Sequence, residues 1–198
     1  MQELTLPKET GRARDRVFGP RLRRGVLTVH IVASVGWIGV DLCVLVLAIL
    51  GATSHDPTTQ RSAFVVLGPV ANVLLIPLPL LALISGIAIS LGTRWKLLRH
   101  YWVVLSLLLT AIAATAVLFA LRPRLVRASE LARNAADPGS AVGDLGQQIV
   151  TASSIALVVL CAVNAINVYK PWGRTARGAR AAAGATAKIS TTSGPRQS

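Results

Sequence analysis

The sequence predicts an all-α, polytopic membrane protein built as a four-transmembrane-helix bundle. Three observations carry this prediction. First, 53% of the 198 residues are hydrophobic and the mean hydropathy is +0.58, while only 15% are charged, where soluble domains carry about a quarter. Second, the apolar residues gather into four runs, each long enough to match the ~20 residues that cross a hydrocarbon core. Third, the net charge of +13 lies almost wholly outside those runs. Disorder is excluded because it needs low hydrophobicity. Collagen-like and disulfide-stapled chains are excluded because Gly is aperiodic and Cys numbers only 2.

The first run extends from Gly25 to Leu50, the second from Ala63 to Leu91, the third from Tyr101 to Leu121 and the fourth from Gln148 to Val168. They define a membrane domain over 25–172, between basic tails at 1–24 and 173–198. Helix is the conformer that suits them, since four segments cannot close a barrel and open sheet edges are excluded from lipid. Asp56-Pro57 reads as an N-cap followed by Pro at the first helical position, which starts the second helix ahead of its apolar run. Pro69, Pro77 and Pro79 predict that this helix is kinked or unwound, which a bilayer tolerates where neighbours satisfy the freed carbonyls. A short amphipathic helix around Leu125–Ala135 is expected to lie on the outer surface. Asp144 with Gln147 resembles a capping box opening the fourth helix. Trp95, Tyr101, Trp102, Tyr169 and Trp172 fall at the expected interfaces, where amphipathic rings prefer to sit.

Orientation follows from the basic residues. Sixteen Lys and Arg fall in the N-terminal tail, the second loop and the C-terminal tail, against five in the first and third loops. The positive-inside rule then makes this a multi-pass protein of the cell (plasma) membrane with both termini cytoplasmic. The first run is expected to be retained, being too long for a signal peptide and followed by no convincing cleavage site. Topology accounts for the charge, so anionic lipid headgroups are the expected partner. No nucleic acid is expected, since the tails lack a groove-reading motif and any basic–aromatic alternation.

Candidate sites are sought among ionisable residues inside the runs. Asp41, a little past the middle of the first run, costs roughly 2.5–3.5 kcal/mol there if ionised and unpaired. His30 lies eleven residues earlier, close to three turns, so both project from one face with Ser34 and Trp37 between them. This stripe of about 16 Å suits a proton path, a small-molecule or ion site, or one wall of a cofactor pocket. Equally, it suits polar glue bonded to Asn72, Asn164, Asn167 or Ser residues of facing helices. His30 and Asp41 are too far apart for one metal ion, since metal–ligand bonds are about 2 Å, so no metal site is expected. His100 is a secondary candidate, either sharing a haem with His30 or anchoring the interface beside Tyr101 and Trp102. Cys43 and Cys161 lie toward opposite leaflets and are not expected to pair. Ala82, Gly86 and Ser90 form a small-residue ladder suited to close packing of another helix or a second copy of the chain. No catalytic motif is present, so catalytic residues are unknown.

Four segments carry a resemblance: the run from Thr28 to Gly39, Asp56-Pro57, the run from Arg99 to Trp102, and the run from Val168 to Thr175. Together they resemble a family of uncharacterised actinobacterial four-span membrane proteins, over about residues 21–178. The His followed seven residues later by Trp in the first run is more distantly similar to copper-resistance D-type and HemJ-type membrane proteins. HemJ-type proteins are linked to haem synthesis, as protoporphyrinogen oxidation. Where those families carry a Lys in the third span, the matching position here holds Ser106. The nearer resemblance implies location and architecture. Taken together, the expected function is that of a non-enzymatic membrane component: a transport accessory, envelope or small-ligand-binding protein without a cofactor. The alternative that the distant resemblance implies is a haem- or metal-linked membrane oxidoreductase using His30.

Overall fold

The computed structural model describes residues 19–92 and 101–169. All elements among them are helical: α1 (Pro20–Thr53), α2 (Pro57–Val73), α3 (Pro77–Gly92), α4 (Tyr101–Ala116), a π-helical turn (Val117–Leu121), α5 (Arg122–Asn134), the short α6 (Pro138–Val142) and α7 (Asp144–Tyr169). Four stretches are long and apolar enough to cross a membrane: Arg21–Thr53, Pro57–Leu91, Tyr101–Asn134 and Asp144–Tyr169. The chain is thus a four-helix membrane bundle, with α2–α3 and α4–α5 each forming one interrupted crossing. Trp95, His100, Trp172 and much of the expected cytoplasmic charge lie outside the described residues.

The central helix is α1, which packs on α2, α3 and α7. Its buried positions are Ala33, Trp37, Asp41, Val44, Ala48 and Gly51, a spacing of four and three that keeps one stripe on the bundle axis. Three contacts set its antiparallel register with α2–α3. A Cβ at Gly51 would lie 2.7 Å from the Phe64 ring, one at Gly36 would lie 3.4 Å from Leu78, and His30 touches Gly86.

Local chemistry explains the helix ends. Asp56 caps α2 by accepting from the Thr58 and Thr59 amides at 3.2 and 2.9 Å, with Pro57 in the first turn. Asp137 caps α6 in the same way. Asp144 is the first residue of α7 rather than its cap; the chain enters that helix through Gly143, whose φ of 45° suits a residue without Cβ.

The prolines interrupt the second crossing as their chemistry requires. Pro69 sits inside α2, and between α2 and α3 the chain leaves the helix at Leu74, Leu75 and Ile76. Pro69 removes the donor for the carbonyl of Val65, and Ser129 replaces it from α5 at 2.8 Å. In the third crossing the amide of Arg122 reaches the Val117 carbonyl, five residues back. This π-turn precedes Pro123 and lets the helix continue.

One expectation needs correction. The amphipathic segment around Leu125–Ala135 does not lie separately on the outer surface. It continues the third crossing as α5 and packs along α2 with Leu125, Ala128, Ser129 and Ala132 buried. The reason is a narrow seam of small side chains that approaches Gly68 closely, while Arg127, Glu130 and Arg133 remain exposed on the other side.

Candidate functional site

His30 is half-buried on α1 and reaches across to α3. Its Nδ1 lies 3.1 Å from the Ala82 carbonyl and 3.0 Å from Ser85 Oγ. A carbonyl only accepts, so the ring proton is assigned to Nδ1. Ser85 donates its own hydroxyl to the Leu81 carbonyl of its helix, which leaves its oxygen free to accept from His30 as well. The lone pair then belongs to Nε2, the ring's remaining polar atom. Backbone anchoring of one imidazole nitrogen is the device that holds the other ready as a ligand, acceptor or base.

The imidazole borders a half-open cavity of about 220 Å³ between α1, α3, α4 and α7. Apolar walls come from Leu27, Leu83 and Leu107; polar atoms come from Ser90, Trp102, Ser106, Thr110 and Asn167. Two of these hydroxyls are turned back onto their own helices, Ser90 to the Gly86 carbonyl at 2.8 Å and Thr110 to the Ser106 carbonyl at 2.7 Å. Ser106 differs: its hydroxyl is buried and has no partner. His30, Ser106 and Asn167 are therefore the groups with hydrogen-bonding capacity to offer an occupant.

The stripe read from the first span divides in the structure. His30 borders the cavity, and Ser34 is half-buried beside it on α1. Trp37 and Asp41 are buried in the core, where Trp37 Nε1 and both Asp41 carboxylate oxygens lack partners. The asparagines do not bond to the stripe. Asn72 accepts from Arg122 at 2.7 Å, Asn164 donates to the Leu160 carbonyl of its own helix, and Asn167 lines the cavity. His100 lies outside the described residues. Of the ladder, Ala82 supplies the carbonyl for His30, a Cβ at Gly86 would stand 3.3 Å from His30 Cε1, and Ser90 lines the cavity. Cys43 and Cys161 are free thiols. Among the described residues no group of three or more His, Cys, Asp or Glu is placed to hold a metal.

Sequence reasoning did not single out Ser85 or Thr110, because their importance depends on which helices face α1 and α4. The available signal was the Ala82–Gly86 spacing, which marks the one face of α3 that admits a bulky ring at close range.

All of these residues fall within 25–171, and that segment matches the family model described as predicted integral membrane protein, DUF2269. The chain belongs to this family. The match takes in all of α2 to α7 and most of α1, so both the His30 cavity and the Asp41 core lie inside the family's own unit. No curated protein and no solved structure matches the chain.

Proposed function

We propose that the chain is a non-enzymatic membrane component that binds a small polar molecule in the cavity beside His30, as a transport accessory or envelope protein would. One observation carries this reading: His30 is fixed through Nδ1 at the edge of a cavity that also contains the unpartnered hydroxyl of Ser106. At about 220 Å³ the cavity falls below the roughly 300–1,000 Å³ of pockets that enclose drug-sized ligands. It suits a compact occupant with a hydrogen-bond donor for Nε2.

The same reading puts the protein in the plasma membrane with both termini cytoplasmic, supported by sixteen basic residues on one side against five on the other. The cavity then opens in the cytoplasmic half, below a basic collar attracted to anionic headgroups.

The test uses the full chain purified in mild detergent, by native mass spectrometry and absorption. A stoichiometric small molecule is expected on the wild type and is expected to be lost in His30→Ala and in the cavity-filling Ser106→Phe. A Soret band with stoichiometric haem, or identical spectra for the wild type and Ser106→Phe, overturns the proposal.

A further inference from the structure

We propose that Asp41 and the broken segment between α2 and α3 form a second site, separate from the His30 cavity, for one monovalent cation of sodium size. Asp41 is 0% exposed and neither carboxylate oxygen has a hydrogen-bond partner. Protonation does not resolve this: a neutral carboxyl still needs an acceptor for its proton and a donor for its carbonyl. Burying such a group without partners is costly in either state. The side chain is therefore complete only with an occupant from outside the chain.

The register shows what stands opposite. Gly51 meets Phe64 and Gly36 meets Leu78, so Asp41 falls level with Val73 and Leu74, where the second crossing unwinds. Pro77 and Pro79 have no N–H, so the carbonyls of Val73 and Leu75 lose their usual i+4 donors. The Leu75 amide turns to the Val70 carbonyl at 3.3 Å instead of the Ala71 carbonyl. No described hydrogen bond reaches the carbonyls of Ala71, Val73 or Leu75. A buried carboxylate and freed backbone carbonyls thus share one level of the bundle.

More orphaned polar groups lie nearby. Ser153 Oγ on α7 is buried without a partner. Gly146 lies against Ala52, which places Ser153 about one turn (roughly 6 Å) further out than Asp41. Trp37 Nε1, one turn in the other direction on α1, is also unpartnered and is a donor for water accompanying the ion. Arg122, near this level, donates from Nη2 to Asn72, its buried Nε has no partner, and it forms no ion pair with Asp41.

The donor set selects the ligand. Carboxylate, carbonyl and hydroxyl oxygens suit a hard cation. A single carboxylate balances one positive charge, which favours a monovalent ion over calcium. Discontinuous membrane helices use unwound carbonyls in this way to hold sodium or a proton.

The test is thermal unfolding of the full chain in detergent, in sodium, potassium and choline chloride at equal ionic strength, with ²²Na⁺ binding by scintillation proximity. The wild type is expected to bind one equivalent saturably and to unfold at higher temperature in sodium. Asp41→Asn is expected to lose that binding at least about tenfold. Equal unfolding in sodium and choline with no bound ²²Na⁺ overturns the proposal, as does stability that follows pH but ignores sodium, which means a proton only. The wild-type arms decide the question even if Asp41→Asn does not fold. A negative result leaves the His30 cavity untouched, because its readout is a retained molecule lost on substitution at His30 or Ser106.

Discussion

Ser129 on α5 supplies the hydrogen bond that Pro69 on α2 takes away. Its hydroxyl reaches the Val65 carbonyl at 2.8 Å, four residues before the proline. Gly68 makes the approach possible, since a Cβ there would stand 2.6 Å from Ser129 Oγ. The kink in α2 and the docking of α5 are therefore one feature.

Ser129→Ala is expected to destabilise the bundle by roughly 1–3 kcal/mol, the cost of a buried acceptor left unsatisfied. Pro69→Ala restores an amide to that carbonyl, so the Ser129→Ala loss should shrink sharply when the two substitutions are combined. A double-mutant cycle on unfolding in detergent measures the coupling. Equal losses with and without the proline would show that the bond does not compensate for it.

Phe64 is 1% exposed and wedged between Gly51 and Gly146; a Cβ would meet its ring at 2.7 and 3.2 Å respectively. Gly51→Ala should therefore destabilise the junction of α1, α2 and α7, although Ala is the better helix former. Phe64→Leu should relieve the clash, making Gly51→Ala nearly harmless in that background. Thermal unfolding of the four variants checks this; additive losses would contradict the wedge.

The four crossings were legible in the sequence because crossing a bilayer demands long apolar runs, and the break in the second because proline chemistry is local. The partners of His30 were not. Its bonds to Ala82 and Ser85 span 52 and 55 residues and depend on the pairing of α1 with α3. The polar stripe on α1 was visible as a face. In the bundle, however, its inner end borders a cavity while Trp37 and Asp41 are buried in the core without hydrogen-bond partners, which helical periodicity cannot report. For α5 the charges at Arg124, Arg127 and Glu130 announced a surface helix and concealed a seam of small residues packed on α2.

Stability should depend on acid pH through the α2 cap. Hydrogen bonds from the Thr59 hydroxyl and from the Thr59 and Thr58 amides hold the Asp56 carboxyl below the usual carboxylate range. A carboxyl with a depressed folded-state pKa contributes stability that is present above its unfolded value, near 4. That stability is lost as pH falls through the lower folded value. Asp137 acts in the same direction through Ser140. Asp56→Asn keeps an acceptor at the cap but cannot titrate, so its unfolding temperature should fall less than the wild type's between pH 5 and 3. Parallel pH profiles for the two proteins would rule out the cap as a source of the dependence.

His30 offers a way to separate a structural from a functional histidine. Removing its ring leaves no orphan on α3: Ser85 retains its bond to the Leu81 carbonyl, and the Ala82 carbonyl stays within a continuous helix. His30→Ala should therefore cost only about 1 kcal/mol of hydrogen-bond stability, apart from the packing of a half-buried ring. Gly86→Ala tests the same contact from the other side, because its Cβ would press on Cε1 at 3.3 Å and displace the ring. If His30 serves the cavity, both variants should unfold within a few degrees of the wild type while losing the retained molecule. A large fall in unfolding temperature for His30→Ala would assign the histidine to helix packing instead, since a residue kept for its Nε2 lone pair has little reason to hold the fold together.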